Sequence, residues 1–354
     1  MKQWIVILSV ILMLAGCSPT SDEPQNEVIS ATNPGDYNIL VPFDASPTRY
    51  NHGIYLGKVD LMDVGQRLIE KSKAVFAVNT HLLAEGNVLT LPRVNALLNR
   101  ESTDNPYGLN PPKDSQFETG VGNLTIPDAI LVADLLELNF YTGTANNSTL
   151  AGISIALVFN TSAVINGQTV TIANDKLYTY ATTVGRKLER YLRGLPDLET
   201  VPIYIALYKT QKSDATLPGV YFGEATFTAR EGQFAPLSEA WYLFPSQAAL
   251  QNDVQTHTAF NAYRNAVIEF VPEAVGTVGQ GYYDNGRLRN LNLTVQIQAK
   301  TYTEIYVLTQ LLADNLSLFT QNDLAITVKL KSVTDTVAMI ERTRDNTVRV
   351  VMTP

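Results

Sequence analysis

VGTVGQGYYDNGRLRNLNLTVQIQA, residues 275–299, is the stretch whose reading decides the fold. In its second half Leu291, Leu293, Val295, Ile297 and Ala299 alternate strictly with polar residues, the period-two signature of a strand with one buried face. In its middle, Asp284-Asn285-Gly286 is a hairpin signal, because a tight two-residue turn needs positive φ and Asn and Gly accept it. The spacing therefore predicts a hairpin whose first arm is Val275–Tyr283. Downstream, Ile305, Leu308, Leu312, Leu316 and Phe319 recur on one helical face. A strand with Leu324, Ile326, Val328 and Leu330 follows, then a turn near Asp335 and strands at Val337–Arg342 and Val348–Met352.

Upstream the same order reads a first time. Ile153, Ile155, Leu157 and Phe159 alternate as a strand, and the run Ile130–Tyr141, ambiguous between strand and helix, is its candidate hairpin partner. Leu177, Ala181, Val184, Leu188 and Tyr191 then mark a helix, with Asn174 as candidate N-cap and Gly194 and Pro196 as a stop. Strands at Ile203–Tyr208 and Val220–Thr228 complete the unit, and helices read at Leu61–Ala77, at Pro92–Asn99 and, between the units, at Asp253–Phe270. The expected fold class is α+β: two related hairpin-helix-hairpin units with antiparallel sheets, joined by a helical linker. The expected domains are residues 38–245 and 246–354.

The chain has 354 residues, 45% of them apolar and 17% charged, enough for a substantial core in one large or two modest domains. Its net charge of -8 opposes a phosphate backbone, so nucleic acid is not an expected partner. A single cysteine excludes an internal disulfide. That cysteine closes an N-terminal segment with the order of an export signal: Lys2, an apolar run from Trp4 to Leu14, then small residues. As a helix the run spans roughly 16 Å, well short of a bilayer core of about 30 Å.

The segment ends in Leu14-Ala15-Gly16-Cys17, which resembles the lipobox of bacterial lipoproteins. The resemblance implies that the Cys17 thiol takes a diacylglyceryl group and that a lipoprotein signal peptidase, reading Leu14, Ala15 and Gly16, cuts ahead of it. Residues 1–16 are then a signal peptide, and the body is held on the extracellular face of the cell membrane by two acyl chains in the lipid bilayer. Residues 17–37, rich in Ser, Pro, Thr, Asn and Asp, carry too little apolar surface to order themselves and read as a flexible tether.

No pattern of catalytic or cofactor-binding chemistry stands out, and the expectation is a protein that is not an enzyme, with no cofactor and no metal. His52, His81 and His257 lack paired ligand spacing. The glycines at 276, 279 and 281 have the wrong order for a phosphate loop and read as a bulged hairpin arm. Arg186, Arg190 and Arg193 share a helix face beside Lys187. They read as a solvated face aided by Glu189–Arg193 pairing, with docking of an anionic wall polymer or a lipid headgroup as the alternative. Tyr221, Tyr282 and Tyr283 suit glycan or peptide contact and suit packing at sheet edges equally well.

Three short segments, Asp104-Asn105-Pro106-Tyr107-Gly108-Leu109-Asn110-Pro111, Leu217-Pro218-Gly219-Val220-Tyr221 and Trp241-Tyr242-Leu243-Phe244-Pro245-Ser246, together with the lipobox, resemble the CamS-type sex pheromone lipoproteins of Gram-positive bacteria. That resemblance implies that a small apolar peptide is released from the end of the cleaved signal, here Val10-Ile11-Leu12-Met13-Leu14-Ala15-Gly16, and induces conjugative plasmid transfer. It assigns the body no catalytic residue. The body then reads as a binding module for a cell-wall or peptide ligand, with a cell-wall hydrolase or a purely structural envelope protein as alternatives. A concave pocket holding two carboxylates with shifted pKa values would mark the hydrolase.

Overall fold

The computed structural model describes residues 26–42, 45–49, 61–211, 216–229, 231–271, 273 and 276–353. Cys17, the lipobox residues Leu14, Ala15 and Gly16, the segment Val10–Gly16 and His52 lie outside the described residues. The chain begins with strands β1 (Glu27–Ile29) and β2 (Asn38–Val41), helix α1 (Leu61–Ser72), β3 (Leu82–Glu85) and α2 (Leu91–Leu98). Next come β4 (Gln116–Glu118), β5 (Thr125–Pro127), β6 (Val132–Thr144), β7 (Asn147–Phe159), β8 (Ser162–Ile165), β9 (Gln168–Thr171) and α3 (Asn174–Leu192). Strands β10 (Ile203–Lys209), β11 (Val220–Phe227), β12 (Ala235–Pro236) and β13 (Glu239–Phe244) lead into helices α4 (Gln247–Asn252) and α5 (Val254–Phe270). The rest is β14 (Gly276–Asp284), β15 (Arg287–Ile297), α6 (Tyr302–Asp314), β16 (Ala325–Ser332), β17 (Asp335–Arg342) and β18 (Val348–Met352).

The class is mixed α and β, built on two main sheets among the described residues. One has eight strands in the order β1-β2-β3-β6-β7-β10-β11-β12, and the other has six, in sequence order from β13 to β18. The sheets are not purely antiparallel, which corrects the expectation. Strand β7 pairs parallel with β10, and β15 parallel with β16, because α3 and α6 carry the chain back over the sheet before the next strand starts. Around each parallel pair the flanking hairpins β6–β7, β10–β11, β14–β15 and β16–β17 are antiparallel.

The predicted turn forms at Asn285 and Gly286, with φ of 49° and 74°, the positive pair a tight hairpin requires. Two glycines of β14, Gly279 and Gly281, are required by packing. A Cβ at Gly281 would lie 2.9 Å from the Phe244 ring, and one at Gly279 would lie 3.1 Å from Phe260. Two other boundaries differ from expectation. Glu27–Ile29 pairs with β2 and Tyr37 is buried, its hydroxyl donating to the Phe76 carbonyl at 2.5 Å, so the ordered body reaches into the segment read as tether. Strand β13 pairs with β14, so the second sheet opens at Glu239, ahead of the expected division at 245/246. The helix expected to link the units packs Phe260, Tyr263 and Val267 into the second core.

Both faces of the first sheet are covered. Along β7, Ile153, Ile155, Leu157 and Phe159 enter a core with α2 and α3, while Ala156 and Val158 enter another with α1. The second sheet buries one face against α5 and α6 through Leu291, Leu293, Val295, Leu308, Leu312, Ile326 and Val328. Its polar face looks toward α1, and that arrangement creates the site.

Candidate functional site

Helix α1 buries Val64 and Leu68 under the first sheet and turns Asp63, Arg67 and Lys71 sideways, since positions three or four apart share a helix face. The Arg67 guanidinium is the hub. It donates to Asp63 Oδ2 at 2.5 Å, to Glu239 Oε2 at 2.6 Å and to the Gly219 carbonyl at 2.9 Å. Four aromatic rings surround it, with centroids at 5.5 Å for Tyr208, 5.2 Å for Tyr221, 6.0 Å for Trp241 and 5.1 Å for Tyr282. Burial works against its charge, but the facing carboxylates of Asp63 and Glu239 outweigh burial and its pKa is raised.

Glu239 is the counter-charge, with a fully buried side chain that also accepts from the Tyr221 backbone N–H at 2.7 Å and pairs with Lys71 Nζ at 2.7 Å. Because Glu239 starts the second sheet and Arg67 and Lys71 come from α1, this cluster joins the two sheets. The Tyr221 hydroxyl donates to the Val64 carbonyl at 2.8 Å and fixes the ring beneath the guanidinium. The Tyr282 phenol is raised above its usual pKa by burial and by the Glu239 charge.

Beside the hub a cleft of about 760 Å³ opens between α1 and the polar face of the second sheet. Tyr282 and Trp241, 5.2 Å apart, form one wall. Gln66 and Glu70 of α1 form another, and Asn292, Thr294, Thr327 and Lys329 form the floor. The two carboxyls that burial pushes upward, Asp134, to about 7, and Glu137, sit in β6 and do not line this cleft.

The residues singled out in the sequence separate into roles. Arg193 is buried against Glu189 at 3.2 Å and donates to the carbonyls of Leu198, Val201 and Phe227, so it staples the end of α3. Arg186 and Arg190 are exposed, and Lys187 holds the Gly108 carbonyl at 3.0 Å. His81 bonds locally to Thr80, and His257 to Asn261. No group of metal-ligating side chains occurs among the described residues. Of the three motif segments, the first is a structural plug: the Asn110 side chain accepts from the Leu131 and Val132 N–H groups and donates to the Leu98 and Val132 carbonyls. The other two supply Gly219, Tyr221 and Trp241 to the hub. Arg67 and Glu239 escaped sequence reading because 172 positions separate them; the motifs that bracket Glu239 were the available signal.

The family model described as "CamS sex pheromone cAM373 precursor" matches residues 46–347. The crystal structure of a sex pheromone precursor from Lactobacillus salivarius subsp. salivarius UCC118 is similar to this chain with a TM-score of 0.80 at 19% identity, over 93% of this chain and 99% of that one. The C-terminal domain of the sex pheromone staph-cAM373 precursor from Staphylococcus aureus gives 0.69 at 19% identity, over 82% and 96%. At that identity the likeness is one of fold. A search of curated proteins finds no match. No described helix is long and apolar enough to cross a membrane.

Proposed function

The chain belongs to the CamS sex pheromone precursor family, and from that premise we propose that it is a lipid-anchored extracellular protein with two products. Cleavage ahead of Cys17 leaves Val10-Ile11-Leu12-Met13-Leu14-Ala15-Gly16 at the end of the signal fragment, from which it is released as a plasmid-transfer pheromone. The mature body stays on the membrane through its diacylglyceryl-cysteine and acts as a binding module, with the cleft beside Arg67 as its site.

The observation that carries this reading is Leu14-Ala15-Gly16-Cys17 placed at the end of an apolar run in a pheromone-precursor chain. An apolar heptapeptide without charged side chains suits a hydrophobic receptor groove. The test is Cys17→Ser with mass spectrometry of the supernatant for residues 10–16 and lipid labelling of the cell fraction. The proposal expects peptide release and cell attachment to be lost together. Retention of both in the variant would sink it.

A duplication of hairpin, helix and hairpin is part of the same proposal. The shared order of antiparallel, parallel and antiparallel pairs in β6–β7–β10–β11 and β14–β15–β16–β17 supports it. Superposing the two units tests it, and α3 and α6 lying over opposite faces would refute it.

A further inference from the structure

The cleft floor has a chemistry of its own. Strand register places Gln280 beside Asn292 and Asn292 beside Thr327, with Thr294 beside Lys329 in the next row. Neighbouring strands lie about 4.8 Å apart and same-face residues along a strand about 6.8 Å apart, so these side chains form a flat lattice on the scale of sugar rings. Asn290, Asn292, Thr294 and Thr327 make no side-chain hydrogen bond among the described residues, which leaves their amides and hydroxyls free to donate and accept together. The Tyr282 and Trp241 rings stand at the edge of that lattice as an aromatic wall.

The cleft does not share the negative excess of the chain, because cations and carboxylates balance there. Five cations line it, Arg67, Lys71, Arg289, Lys329 and Arg344, against Asp63, Glu70 and Asp284, while the whole chain carries -8. Asp63 and Glu239 together balance Arg67 and Lys71, and Asp323 lies against Arg289 and, at 3.9 Å, Arg344. Lys329 is exposed on the floor with no ion pair among the described residues. An apolar peptide finds little here, because Met339 and the aromatic wall are the main apolar lining. We infer that the cleft between α1 and the second sheet binds an acidic polysaccharide, with its sugar hydroxyls on the Asn292–Thr327 lattice and its anionic group on Lys329.

This rests on the reading of the body as a binding module and names its ligand class. The test is calorimetric titration of the full mature chain in detergent with three probes: hexagalacturonate, neutral chitohexaose and poly(glycerol phosphate). Hexagalacturonate is expected to bind about tenfold more tightly than either other probe and to weaken with salt. Lys329→Gln should cost about tenfold and Asn292→Ala about fivefold, while Lys113→Gln, on an exposed loop that does not line the cleft, should change nothing. Unchanged melting of each variant separates lost contact from lost fold. Absence of hexagalacturonate binding, equal binding of poly(glycerol phosphate), or indifference to both cleft substitutions overturns the inference. Binding of chitohexaose or poly(glycerol phosphate) in place of hexagalacturonate overturns the acidic polysaccharide and keeps the binding module, whereas no binding of any of the three probes counts against both.

Discussion

Arg67 shows how one residue is held by several forces at once. A buried guanidinium loses its hydration, and only paired charge and hydrogen bonding make the loss tolerable. Here Asp63, Glu239, the Gly219 carbonyl and four rings take the place of water. Glu239→Gln leaves the cation partly uncompensated, and chemical denaturation should show a loss of about 3–5 kcal/mol. A loss under 1 kcal/mol would mean that water reaches the hub. At Asp134 burial outweighs the Leu135 N–H bond that its carboxylate accepts. Burial raises its pKa to about 7 from 3.8, so between those values the folded state holds a proton that the unfolded state releases. Its contribution to stability is therefore present at low pH and is lost as pH rises through that window, an effect of about 2–4 kcal/mol. Asp134→Asn should flatten the stability profile from pH 4 to 7 and be the more stable protein at pH 8.

Elements with one wet face announce themselves, and those with two dry faces do not. From Leu291 onward strand β15 alternates strictly, because its odd positions enter the core while Asn292 and Thr294 face the cleft. Strand β6 is buried on both faces over Val132–Glu137, so the alternation that distinguishes a strand from a helix is missing there. Strand β13 is half-buried along Glu239–Leu243, because one face meets the second core and the other the hub, and no period survives. The hub escaped sequence reading for a related reason: it is assembled from α1, the start of β11 and β13, and no local spacing records that meeting. Helix α6 is closed at its start by a cap. Thr301 accepts from the Glu304 N–H at 3.3 Å and the Glu304 carboxylate accepts from the Thr301 N–H at 2.7 Å, a reciprocal capping box. Thr301→Ala should cost about 1 kcal/mol, seen as a lower denaturation midpoint with unchanged slope.

At the scale of the whole molecule, the apolar clusters of the two sheets share no residue: those around β7 draw on the first sheet, and the one around β15 draws on the second. What joins them at the cleft is the charged cluster of Arg67, Lys71 and Glu239. Hydrophobic cores that do not interpenetrate unfold together only if the joint costs more to break than the weaker core has in reserve. Because the joint is buried, salt screens it weakly, and it should keep the two units cooperative. Calorimetry of the intact chain should therefore give a single transition whose van't Hoff and calorimetric enthalpies agree, and Glu239→Gln should split it into two. Two transitions in the unaltered chain, or one in the variant, would place the coupling elsewhere, most directly in the β11–β13 connection that passes from one sheet to the other.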